Sequence, residues 1–149
     1  MISGLTYANV EDVLTSCFLK RWADKTPVIL KNSVPKNLDD KVEAWINFAV
    51  AINASRQDSF GGVGNRRFVR VGRIFVEVFV KAGTITGLQN SLVNSIIDIY
   101  EDGSWSPMRI RQITQHDLPD GAHRRASITG DGRWFGTQVN IQWSFDQVK

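Results

Sequence analysis

The alternation of apolar and polar positions is most regular between residues 67 and 81. The even positions from Phe68 read Phe68, Arg70, Gly72, Ile74, Val76, Val78 and Val80. The odd positions read Val69, Val71, Arg73, Phe75, Glu77, Phe79 and Lys81. A period of two sets one row against a core and leaves a mixed row on the other face, so a long strand is predicted. Ala82-Gly83 breaks it. Thr86-Gly87-Leu88-Gln89 then has capping-box spacing, a hydroxyl at N-cap and an amide at N3. The stripe Leu88, Leu92, Val93, Ile96, Ile97 and Tyr100 predicts an amphipathic helix ending near Asp102-Gly103.

The same reading extends to the rest of the chain. Val10, Val13, Leu14, Cys17, Phe18 and Trp22 form one helical stripe that Thr6 or Asn9 can cap and that ends before Thr26-Pro27. Val28-Ile29-Leu30 predicts a short strand. A second long strand carries Val42, Ala44, Ile46, Phe48, Val50 and Ile52 on one face, with Trp45, Asn47, Ala49, Ala51 and Asn53 on the other. Residues 55–67 hold Gly61, Gly62, Gly64 and Asn65, which mark an irregular loop closing an antiparallel hairpin. Strands are expected over 108–114 and 138–145, with a polar stretch at 115–133 that contains one further short strand at 126–129. The order is α-β-β-β-α-β-β. It predicts a single α+β domain over 1–149, a mostly antiparallel sheet packed by two helices.

Composition narrows the function classes. The 149 residues are 42% apolar, enough for one globular core. No window approaches the ~18 apolar residues of a membrane span, and no secretory signal is expected. Cys17 is the only cysteine and cannot form a disulfide within the chain. Charge is uneven: residues 61–81 hold five basic side chains and one acid, residues 82–104 three acids and no base. That asymmetry bears on partners rather than on fold.

Catalytic chemistry finds little support. His116 and His123 stand near Asp117 and Asp120, but the spacing matches no metal-ligand pattern and Arg124-Arg125 would repel a cation. The glycines at 61, 62 and 64 precede no helix and no lysine-serine pair, so no phosphate cradle is expected. The segment 70–79 shares a glycine and one aromatic, Phe75, with the RNP1 strand of RNA-recognition modules. It lacks the leading basic residue and the other aromatics. A small nucleic-acid-binding domain stays open as an alternative. No enzyme activity and no cofactor or metal are expected.

The order and spacing of these elements resemble the tail terminator, or tail-completion, proteins of long-tailed bacteriophages. The resemblance covers most of the chain. It is carried by the first helix leading to Thr26-Pro27-Val28, by Asn32, and by Trp45 in a long strand followed by the glycine- and arginine-bearing loop. The strand from Val71 to Val80 is similar to the family's "G-x-hydrophobic-x-V-x-V-F" run. Lys81-Ala82-Gly83-Thr84, Trp134 and Ile141-Gln142-Trp143-Ser144-Phe145 add to it. One departure is the turn, where Thr84-Ile85-Thr86 separates the glycines at 83 and 87.

The resemblance implies a subunit that assembles with itself into a ring, normally a hexamer, on the last ring of the tail tube protein. Such a ring ends tube polymerisation and offers a docking surface to the head-tail connector or neck protein. DNA passes through only as cargo, no membrane is involved, and the place is the virion tail, assembled in the host cytoplasm. Another neck or connector subunit is the alternative within the same context. Interface candidates are then the aromatics Phe60 and Trp134, expected in glycine-rich loops, and the arginines Arg66, Arg67, Arg109, Arg111, Arg124 and Arg125. Arg109 and Arg111, two apart on one strand, share a face. Asp98, Glu101 and Asp102 on a neighbouring subunit are the candidate acidic partners.

Overall fold

A computed structural model describes residues 5–30, 43–57, 59, 61–81, 86–118 and 134–149, with Thr86 and Trp134 described by their backbone alone. The elements are α1 (Val10–Trp22), β1 (Val28–Leu30), β2 (Ala44–Gln57), β3 (Arg67–Lys81), α2 (Thr86–Glu101), β4 (Arg109–Asp117) and β5 (Trp134–Val148). The expected order and the α+β class hold. Among the described residues the strands form one sheet in the order β1-β2-β3-β5-β4, with β1 parallel to β2 and every other pair antiparallel.

Both helices lie on the same sheet face, because the apolar rows point there. Ile74, Val76 and Val78 of β3, Ile46, Phe48 and Val50 of β2, and Val139, Ile141 and Trp143 of β5 are buried against Leu14, Phe18 and Trp22 of α1 and Val93, Ile96 and Tyr100 of α2. Phe18 ties the layers together, its ring 4.5 Å from Phe48 and 6.5 Å from Tyr100. The first helix carries Glu11 and Asp12 in its first turn and Lys20 and Arg21 in its last, which suits the macrodipole. It ends in two left-handed residues, Ala23 and Asp24.

Several boundaries differ from the expectation. Pairing holds the hairpin together as far as Gln57 and Phe68, so residues 55–57 are strand and the connection is shorter than 55–67. A bulge between Ile52 and Ala54 absorbs the odd residue, and it lets the apolar row and the hairpin end keep separate registers. The fourth strand runs to Asp117, so His116 sits on a strand and not in a polar loop. The last strand begins at Trp134, which is therefore not a loop residue. Gln89 donates to the hydroxyl of Thr137 on β5, which pins α2 to the sheet; the hydroxyl of the expected capping box, on Thr86, lies outside the described side chains. The expected strand at 126–129 lies outside the described residues.

No described helix covers the second sheet face. At one end Trp45 and Phe79 stack there at 4.4 Å, joined by Ile29 and Leu118. Over the rest of it the side chains are mostly polar: Arg73 and Glu77 of β3, Asn140 and Gln142 of β5, Gln112 and Thr114 of β4.

Candidate functional site

Two of the sequence-derived arginines converge on one carboxylate. Antiparallel pairing puts Arg67 at the start of β3 opposite Val148, and Arg109 at the start of β4 opposite Ser144. Asp146 of β5 stands between them, 3.1 Å from Arg109 and 3.8 Å from Arg67. Arg111 donates through Nε to the buried Ser144 hydroxyl at 2.9 Å. The register shift between Ile110 and Gln112 leaves Arg111 as the extra residue of a bulge, so Arg109, Arg111 and Gln112 all reach the helix-free side. Arg66 closes the same end by exchanging backbone hydrogen bonds with Lys149.

The acidic candidates divide. Asp102 already has partners: it accepts from Arg21 at 3.0 Å and from the Ser104 amide and hydroxyl at 2.9 and 2.7 Å. Those Ser104 hydrogen bonds, with Arg21 beside them, hold its carboxyl below the usual carboxylate range. Arg21 also donates to the Ile99 carbonyl at 3.3 Å and lies 4.3 Å over the Trp105 ring. The second helix has no basic residue in its own last turn, so α1 supplies the cation for that end. Asp98 and Glu101 are exposed on α2 and make no ion pair among the described residues. Phe60, Arg124 and Arg125 lie outside the described residues, and Trp134 is placed only as the first residue of β5, opposite Lys81.

Sequence reasoning missed three features. Arg70 stands on the core-facing row and is almost fully buried, yet no carboxylate among the described residues meets it. It donates to Ser55 and Gln147 and lies 5.1 Å from the Tyr7 ring and 5.0 Å from Phe68. Its position in an otherwise apolar row was the available signal. A groove of about 790 Å³ runs between the end of α2 and the outer edge of β4, lined by Tyr100, Trp105, Met108, Arg109, Ile110 and Arg111. No pattern in the chain announces it, since it is made by residues that pack from two elements. The third is Arg73, placed among amides on the helix-free face.

No protein-family model matches the chain, and no curated protein does. Among solved structures it is similar to the sheath/tube terminator of PVC, an extracellular contractile injection system, in its extended state. That likeness is coarse, at 7% identity and a TM-score of 0.41. It covers 99% of this chain, which spans 59% of the length of the terminator chain.

No described helix is long and apolar enough to cross a membrane. Among the described residues no group of three or more His, Cys, Asp and Glu side chains is gathered as a metal site would need. His116 is exposed on β4, and His123 lies outside the described residues.

Proposed function

We propose that this chain is a structural subunit that assembles into a ring, a hexamer in the resembled family's manner, to cap a tail tube, end its polymerisation and present a docking surface for the next component. The reading rests on the resemblance in element order and spacing. The observation that carries it is the β2–β3 hairpin. Residues 53–57 of β2 are exposed along both faces, while the β3 residues opposite them stay paired to β5, so the end of β2 forms an exposed outer limb of the hairpin. Five residues of strand span roughly 17 Å. β1 pairs with β2 only as far as Phe48, so beyond it the outer edge of β2 faces no further strand among the described residues, and an exposed strand edge is where a neighbouring subunit in a ring can dock.

The hairpin also carries charge at its loop end, where Arg67, Arg109 and Asp146 meet. Tail tube protein on one side, a connector or neck protein on the other and a second copy alongside are the partners this reading assigns, with DNA passing through the lumen. The test is solution mass by light scattering, for the chain alone and with purified tube protein. A closed multiple of the 16.8 kDa subunit on tube ends, with tube growth stopped, supports it. A chain that stays monomeric at high concentration and leaves tube growth unchanged overturns it.

A further inference from the structure

Arg73 stands near the middle of β3, on the helix-free face, opposite Gln142 of β5. Gln142 is in turn opposite Gln112 of β4, and Asn140 is opposite Thr114. These five side chains, Arg73, Gln112, Thr114, Asn140 and Gln142, line a depression of about 220 Å³. Every wall is a hydrogen-bonding group, and the one charge is the guanidinium. Its Nε is buried and meets no acceptor. Two described acids on this face are taken: Glu77 accepts from Asn47 at 2.7 Å, and Asp146 holds Arg109 and Arg67. A half-buried guanidinium without an anion is costly, because its donors lose water and gain nothing in return.

The opposite surface of the molecule has the complementary defect. Asp98 and Glu101 are exposed on α2 and have no basic partner among the described residues. They stand near the carbonyl end of the helix, where the macrodipole disfavours carboxylates. Arg21, the cation that serves this end, is occupied by Asp102 and the Ile99 carbonyl. The sheet separates the two sites, since α2 packs on one face and Arg73 opens on the other. Among the described residues, neither site satisfies the other within one chain.

We infer that the Arg73 depression is a carboxylate socket filled by Asp98 or Glu101 of the next copy in the ring. The amides and the Thr114 hydroxyl orient the incoming carboxylate, and the two terminal nitrogens of the guanidinium grip it end-on with two hydrogen bonds, Nε being closed off. Such a contact joins different faces of the two copies, so it is head-to-tail and propagates until rotation closes it into a ring. The inference rests on the ring reading above and adds to it which surfaces meet.

The test compares the full-length chain with Arg73→Glu, with Asp98→Arg/Glu101→Arg, and with all three changes together, by sedimentation velocity over a range of concentration and salt. Each charge reversal alone should raise the concentration needed for assembly at least about tenfold, and the combination should recover most of that loss. Arg73→Gln serves as the folding control: it removes an unmatched donor, so its monomer should melt no lower than the unmodified chain while assembling as poorly as Arg73→Glu. An unmodified chain that never assembles overturns the ring reading and the socket together. An unmodified chain that assembles, with the Arg73 variants assembling equally well, overturns the socket alone.

Discussion

The indole of Trp143 lies directly on the backbone of Gly72, its partner across β3 and β5. A Cβ added at Gly72 would sit 2.8 Å from Trp143 Cε2, closer still to Cζ2, and would collide with the Ala51 carbonyl oxygen of β2. Gly72 is thus the point where three strands and a buried ring fit only because a side chain is missing. Gly72→Ala should destabilise the chain by about 1–3 kcal/mol, the range of overpacked cores. Chemical denaturation reads it, and a change within about half a kcal/mol would show that the site relaxes freely.

The Tyr100 hydroxyl is buried and has no hydrogen-bond partner among the described residues, and burial pushes its ionisation far above the ordinary tyrosine range. The ring itself is needed, stacked 4.8 Å from Trp105. Tyr100→Phe keeps the ring and removes the unsatisfied group. It should be neutral or stabilising by up to about 1 kcal/mol, since the desolvated hydroxyl returns nothing. A loss above about 1 kcal/mol in thermal or denaturant unfolding would mean that the hydroxyl has a partner after all.

Asp102 ties the end of α2 to α1, and its lowered ionisation sets a pH dependence. A carboxyl depressed in the folded chain adds stability above its unfolded value of roughly 4, and that stability disappears as pH falls through the lower folded value. Ser104→Ala removes the hydroxyl hydrogen bond that is the main cause. NMR titration should then find the Asp102 midpoint moved up toward the usual aspartate range. The stability gap between Ser104→Ala and the unmodified chain should be present at pH 6 and close at strongly acid pH. With the Asp102 side chain 44% exposed, the gap will be small and will shrink with salt. An unmoved midpoint would refute the assignment.

The fold was legible wherever one period dominated. The even row of β3 and the α2 stripe gave both elements and the face they share, because burying an apolar row leaves little choice of packing. Strand ends were not legible: residues 55–57 and His116 look polar, and only cross-strand pairing makes them strand. The same limit applies to charge. Arg73, Arg109 and Arg111 are equivalent as letters. Register alone decides that Asp146 stands beside Arg109, that a bulge directs Arg111 to Ser144, and that Arg73 is left among amides. Arg21 was passed over for a related reason, since its partners Ile99 and Asp102 are about eighty positions away.

Arg109 and Arg111 provide a last test, because their partners within the chain can be separated from a role between chains. Arg109 is half-exposed, so its pair with Asp146 is worth about 0.2–1 kcal/mol. The Arg111 hydrogen bond to Ser144 adds about 1 kcal/mol. Against a domain stability of about 5–15 kcal/mol, Arg109→Glu with Arg111→Glu should leave a folded monomer. If the two arginines also face a neighbouring subunit or ring, the double change should abolish assembly, giving tails of uncontrolled length and heads without tails. Asp146→Asn is the discriminating control. It breaks the same pair from the other side and leaves both arginines in place, so it should assemble normally. Defective tails from Asp146→Asn would assign the arginines to holding β4 on β5. Normal tails from the double mutant would return them to the solvated surface.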